Sequence, residues 1–228
     1  MQFTAHASSS RGNCYTVESG STRLLLEAGL PIREIRRRLG FTLSGFAGVC
    51  VTHEHQDHAK AVVDLLRSGT PVYCSAGTAA ALGLSGYHLH ILADREQVQI
   101  GDFRVLPFAT QHDAAEPLGF LLADATDKLL FATDTSYLQW KFRGLTMIAI
   151  ECNFAADLLP ADMPTSQRAR LEGSHMSLAA VKELLGANDL SAVREIHLLH
   201  LSREHSDAER FQREIEGATG MPVWVEEE

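Results

Sequence analysis

Val49-Cys50-Val51-Thr52-His53-Glu54-His55-Gln56-Asp57-His58 is the stretch on which the rest of the chain is organised. Its first three residues are a short apolar, β-branched run that reads as a buried strand about to end. The residues after it bring three imidazoles and a carboxylate to that strand terminus. In extended chain, residues two apart point the same way, so His53 and His55 can close on one ion from one side. Asp57 and His58 come next, where Ala59 to Leu66 begins a helical pattern with Val62, Leu65 and Leu66 apolar. A turn between strand and helix can aim this second pair at a neighbouring ion. Imidazole plus carboxylate suits zinc, manganese or iron, and the absence of thiolates argues against a closed structural zinc site. The plainer alternative is that Asp57 caps the helix and the histidines form a surface cluster. The density of ligand-type residues favours the metal reading.

The pattern His53-x-His55-x-Asp57-His58 after an apolar strand resembles the signature of the metallo-β-lactamase superfamily. The resemblance implies an α/β fold, a four-layer αββα sandwich with metals at one edge.

At 228 residues and 45% hydrophobic, the chain can build one sizeable core, as one domain or two tightly joined halves; we expect one domain over residues 1–228. No apolar run is long enough to span a membrane, and Met1 to His6 lack the basic-then-apolar pattern of a signal peptide. A soluble cytoplasmic protein with no membrane partner is the expectation. Cys14, Cys50, Cys74 and Cys152 have no paired spacing and sit in or beside apolar runs, which argues against disulfides. The net charge of −9, from 20 basic and 29 acidic residues, works against broad attraction to nucleic acid, although two divalent ions would reverse that sign locally.

Ahead of the strands Cys14 to Val17 and Arg23 to Leu26 lies a polar loop, Ser8-Ser9-Ser10-Arg11-Gly12-Asn13. Its hydroxyls and N–H groups at Ser9, Ser10 and Asn13 can hold a phosphate, or the loop is a solvated turn. This opening resembles the YycJ/WalJ-like exonuclease branch, in which a Ser-Ser-Gly-Asn-Cys-like loop leads to a strand ending in Asp-Ala-Gly. Here Arg11 is inserted, and Glu27 of Glu27-Ala28-Gly29 stands in place of the aspartate. Pro31 to Leu39 reads as a helix with Arg33, Arg36 and Arg37 on one face. Those arginines are a solvated surface or a rail for substrate phosphates.

Further on, Val98 to Ile100 and Phe103 to Ala109 read as a hairpin. His112 follows it at the place where the superfamily carries its third metal histidine. Asp134, after the strand Lys128 to Phe131, resembles the family's bridging aspartate. Residues 154 to 173 contain Pro160, Pro164 and Gly173 and read as a mobile connection with room for a short helix. His175-Met176-Ser177 and Leu199-His200-Leu201-Ser202 resemble elements of tRNase Z and of YycJ-like proteins, and Glu151 resembles the acidic partner of a histidine in nucleic-acid-processing members.

The resemblance thus assigns six of the 11 histidines to the site. It implies one ion held by His53, His55 and His112, another by Asp57, His58 and His200, and Asp134 bridging them. Asp57, His175 and Glu151 would serve catalysis, the last two as a pair at the scissile phosphate. It implies a metal-bridging hydroxide as nucleophile and a phosphodiesterase, a 5′ exonuclease on DNA. The alternative on the same site is a small-molecule hydrolase, either a cyclic phosphodiesterase or a lactone or thioester hydrolase. A metal-binding regulator without turnover fits less well, because every expected ligand position is filled. His6, His88, His90, His197 and His205 are read as structural.

Overall fold

The computed structural model describes residues 1–41 and 43–227. The chain divides into two compact units, the halves that its length allows. The first takes in Met1–Ala109 and Ala114–Thr126, the second Thr110–Asp113 and Asp127–Glu227.

In the first unit β1 (Gln2–Ala7), β2 (Cys14–Ser19), β3 (Thr22–Leu26), α1 (Ile32–Arg38), β4 (Phe46–Cys50), α2 (Gln56–Ala59), α3 (Val62–Arg67), β5 (Val72–Ser75), α4 (Ala76–Ala81) and β6 (Leu89–Leu92) follow one another. The six strands form one sheet in sequence order. The pairs β1–β2 and β2–β3 are antiparallel, and those from β3 to β6 are parallel. Three antiparallel strands complete the unit: β7 (Val98–Ile100), β8 (Phe103–Ala109) and β9 (Leu118–Ala123). The hairpin reading of β7 and β8 is correct.

Parallel strands covered on both faces carry continuous apolar runs, and Leu24, Leu25 and Leu26 are all buried. Each such side chain contributes about 1.5–3 kcal/mol on leaving water. That sum outweighs the roughly 1–3 kcal/mol cost of the left-handed backbone at the next residue, Glu27, whose φ is 65°. The strand can therefore hold a strained residue at its end.

Two expectations for this unit are corrected. The helix read from Ala59 onward starts earlier, at Gln56, and breaks at Lys60-Ala61 into α2 and α3. The break has a hydrogen-bonding cause. The Asp57 carbonyl, which would accept from Ala61 in a continuous helix, accepts instead from the Asn13 backbone at 2.7 Å, and the Ala61 N–H goes to the Ala28 carbonyl at 2.8 Å. β1 went unread, because Gln2-Phe3-Thr4-Ala5-His6-Ala7 has only a weak apolar alternation; only Phe3 and Ala7 are buried in it.

The second unit runs β10 (Lys128–Ala132), β11 (Met147–Glu151), a 3-10 turn (Ala156–Leu158), α5 (Thr165–Ser174), α6 (Leu178–Ala187), β12 (Glu195–Leu199), α7 (Ala208–Thr219) and β13 (Val223–Val225). The four strands are mutually parallel in the order β10-β11-β12-β13. α6 is capped by Ser177, whose Oγ accepts from the Ala180 N–H at 3.2 Å, and α7 by Asp207, which accepts from the Arg210 N–H at 2.9 Å. The connection over residues 154–173 holds a 3-10 turn and the start of the ten-residue α5, so the helix allowed there is present and longer than a short one. Its sequence, Thr-Ser-Gln-Arg-Ala-Arg-Leu-Glu-Gly-Ser, has no apolar stripe, so periodicity could not reveal it.

Candidate metal centre

In the first unit the donors stand just past the C-terminal end of β4. His53 is buried, with Nδ1 at 2.9 Å from the Thr52 hydroxyl. Its ring meets His55 edge-on at 4.6 Å and lies 4.2 Å from that of His58. His53 and His55 offer ligand atoms within 4.8 Å of each other, and so do Asp57 and His58. Asp57 lies inside the first turn of α2 and does not cap it; the cap position belongs to His55. Between the ligands, Glu54 turns away and accepts the Ala115 N–H at 2.7 Å.

The support beneath these donors is the Glu27-Ala28-Gly29 turn. The Glu27 carboxylate is fully buried, accepts the Thr52 N–H at 3.3 Å and sits 3.7 Å from Nδ1 of His58. The Ala28 N–H donates to the His58 carbonyl at 2.8 Å. Gly29 passes so close to α2 that a Cβ there would fall 1.6 Å from the Asp57 carbonyl oxygen. Glu27, which stands in place of the family aspartate, thus reaches both the Thr52 N–H and the His58 ring.

Asn13, read as a substrate contact, is fully buried. Its amide nitrogen reaches the Ser9 carbonyl at 3.1 Å, the Asp57 carbonyl at 3.2 Å and Nε2 of His58 at 3.1 Å, so it orients the metal loop from behind. Ser9 is also buried, its hydroxyl accepting the Arg11 N–H, and Ser10 is the exposed serine of the pair.

Two arginines of α1 share one carboxylate. Arg37 donates to both oxygens of Glu34, at 2.9 and 2.5 Å, and Arg38 joins the same carboxylate at 2.7 Å. Arg36 lines a groove with Phe46 and Pro71, at the N-terminal ends of β4 and β5. His53 follows the opposite end of β4. At roughly 3.3 Å per residue the ends of this five-residue strand are about 13 Å apart, so the groove that Arg36 lines opens at the end of β4 away from the donors. Arg33 is exposed.

In the second unit five donors converge. His112 gives Nδ1–H to the Ser174 carbonyl at 2.9 Å, which turns Nε2 toward Oδ2 of Asp134 at 3.6 Å. Burial dominates its titration and lowers its pKa. Asp134, buried after β10, also takes left-handed backbone, with φ 47°, and accepts from the Thr133 hydroxyl at 2.8 Å. Its two oxygens face different imidazoles: Oδ2 faces His112, and Oδ1 stands 3.6 Å from Nδ1 of His200. His200, after β12, is the third site residue with positive φ, at 53°. Such backbone at strand ends re-aims a side chain out of the sheet alternation.

Glu151 ends β11 with no exposure to solvent. Oε1 lies 2.5 Å from Nδ1 of His175 and 3.3 Å from Nδ1 of His200, while Oε2 accepts the Thr135 and Met176 N–H groups at 2.9 and 3.2 Å. Burial alone would raise this carboxyl, but the charge and hydrogen bond of His175, with the bond to His200, hold it below the usual range. Burial likewise disfavours charge on His175, yet Glu151, with help from Asp134, raises its pKa. Both directions favour a carboxylate on Glu151 beside an imidazolium on His175. Asp134, Glu151, His175 and His200 together offer ligand atoms within 4.8 Å of one another.

Sequence reasoning gave no role to Asn153, whose amide nitrogen donates to the His200 carbonyl at 2.8 Å and lies 3.3 Å from its Nδ1. Its spacing of two from Glu151 is the signal that could have found it. The histidines set aside are engaged elsewhere: His6 with the Thr16 hydroxyl, His90 stacked on Tyr73, and His197 with Glu226 and Trp224.

Comparison with known proteins gives the family and the fold. The Beta-lactamase superfamily domain matches residues 22–201. Exodeoxyribonuclease YycJ of Bacillus anthracis is 27% identical over 222 residues, covering 90% of this chain and 84% of its own. Exodeoxyribonuclease WalJ of Streptococcus pneumoniae serotype 2 (strain D39 / NCTC 7466) is 26% identical over 224 residues, covering 90% and 83%. The metallo-β-lactamase fold protein YhfI of Bacillus subtilis superposes with a TM-score of 0.77 at 17% identity, over 99% of this chain and 95% of that one. The strand-end histidines and carboxylates therefore stand on a metallo-β-lactamase fold, and the chain belongs to the beta-lactamase superfamily as one of its hydrolases.

Proposed function

We propose that this protein is a dinuclear-metal phosphodiesterase, a 5′ exonuclease acting on DNA in the cytoplasm. The donor chemistry fits divalent ions. Imidazole nitrogens and carboxylate oxygens make up the set, and all four thiols are free, buried and outside it, a combination that suits zinc, manganese or iron. A reducing compartment also suits four free thiols. The candidate donors are His53, His55, Asp57 and His58 in the first unit and His112, Asp134 and His200 in the second. Bound there, such ions supply a water of lowered pKa and charge stabilisation for an in-line displacement at phosphorus.

The observation that carries the reading is the pair of His175 and Glu151. A buried carboxylate fixes Nδ1 of a half-buried imidazole, which leaves Nε2 to hold a proton for a leaving alkoxide. Asp134 and Asn153 orient His200, and Glu27 and Asn13 orient His58. Relatives named exodeoxyribonuclease, aligned over 90% of this chain, support DNA as substrate.

A second reading, hydrolysis of a small phosphodiester, draws on the net charge of −9 and on the position of Arg36 at the far end of β4. Turnover by the metal-loaded protein of 5′-phosphorylated DNA, the matching RNA and a chromogenic phosphodiester separates the two. The proposal expects kcat/KM highest on DNA. Turnover of the small ester alone would install the second reading.

A further inference from the structure

Tyr137 is 51% exposed, an aromatic ring held open to solvent three residues beyond Asp134. At no more than about 3.6 Å per residue, its Cα is within roughly 11 Å of that of Asp134. The segment bearing it has neither helix nor strand, yet it is pinned. The Thr135 hydroxyl donates to the Tyr137 carbonyl at 2.9 Å, the Ser136 N–H to the Gln111 carbonyl at 2.9 Å, and the Phe142 N–H to Asn188 at 2.7 Å.

Tyr137 and Trp140 rim a hollow floored by Leu138, Met176 and Leu184, with Lys141 on its exposed side. Met176 follows His175 directly, and Glu151 accepts N–H groups from both Thr135 and Met176, so the hollow is built on the same carboxylate as the catalytic pair. Its volume is about 70 Å³, far below the roughly 300 Å³ at which pockets begin to enclose a ligand. It offers a face and an apolar edge, not an enclosure.

We propose that Tyr137 is a stacking residue for the nucleobase of the nucleotide beside the scissile phosphate. The inference rests on the nuclease reading above. An exposed ring accepts any base through its π-face, which suits an exonuclease that must remove all four nucleotides in turn. Lys141, exposed on the same hollow, adds a positive charge beside it.

The test compares Tyr137→Ala and Tyr137→Phe with the unmutated metal-loaded protein. The substrates are a 5′-phosphorylated single strand and the same strand with abasic residues at its 5′ end. On the base-bearing strand Tyr137→Ala should raise KM about tenfold with kcat nearly unchanged, and Tyr137→Phe should keep the original KM. On the abasic strand Tyr137→Ala and unmutated protein should match within about twofold. An unchanged KM for Tyr137→Ala on the base-bearing strand, or an equal loss on the abasic one, overturns the assignment. Failure of the unmutated protein to cut DNA would instead remove the nuclease reading, and this inference with it.

Discussion

Nδ1 of His175 lies 2.5 Å from Oε1 of Glu151, a carboxylate with no solvent exposure that also stands 3.3 Å from Nδ1 of His200. One buried acid thus sets the direction of two imidazoles. His175→Ala should lower kcat by about 10²–10⁴-fold, the usual worth of a positioned proton donor, and should leave the metal content unchanged. Steady-state kinetics alongside elemental analysis checks this. Loss of metal on His175→Ala would place that histidine among the ligands.

Asp134 turns its two oxygens toward different histidines, and the proposed function makes it the ligand shared by two ions. Fully loaded protein should bind about two transition-metal ions per chain. Asp134→Ala should lose at least one of them together with activity, read by elemental analysis after gel filtration. One ion per chain in active protein would reject the dinuclear arrangement.

Gly29→Ala places a methyl group on the Asp57 carbonyl, where no flexible side chain can yield. The expected cost is about 1–3 kcal/mol or more of stability, with metal affinity falling as α2 is displaced. Urea denaturation and metal titration measure the two effects. A variant with unaltered stability would show that the turn does not support the loop.

Burial pushes the thiols of Cys14 and Cys74 up to about 12. An acid whose pKa is higher folded than unfolded binds more protons in the folded state, so its contribution to stability is intact below the unfolded value and is lost as pH rises through the folded one. Stability should therefore fall between about pH 9 and 12. A thiol reagent at pH 8 should label none of the four cysteines until the protein unfolds. Rapid labelling of the folded protein at pH 8 would contradict this.

With Arg36 at the far end of β4 and Arg37 engaged by Glu34, replacing Arg33, Arg36 and Arg37 by glutamine should leave DNA affinity and its salt dependence nearly unchanged. A clearly flatter salt dependence would restore the helix to the substrate path.

The candidate ligands were legible because chemistry-bearing residues cluster at the ends of short apolar runs, where the sheet delivers them: His53 after β4, Asp134 after β10, His200 after β12. The supporting residues were not. The role of Glu27 depends on a left-handed backbone and on contact with a loop 31 positions away, and that of Asn13 on a carbonyl 44 positions away. Local patterning carries no record of such pairings. α5 escaped for want of an apolar stripe, and the break between α2 and α3 because a distant N–H takes the carbonyl that would have continued the helix.

The most direct measurement uses a 5′-phosphorylated, 3′-labelled single strand of DNA, incubated with protein stripped of metal and with the same protein reloaded with manganese or zinc. The account predicts no cleavage by the stripped sample and, after reloading, stepwise shortening of the labelled strand from its 5′ end. Cleavage that persists without metal, or loss of the label from the 3′ end as the first event, would contradict it.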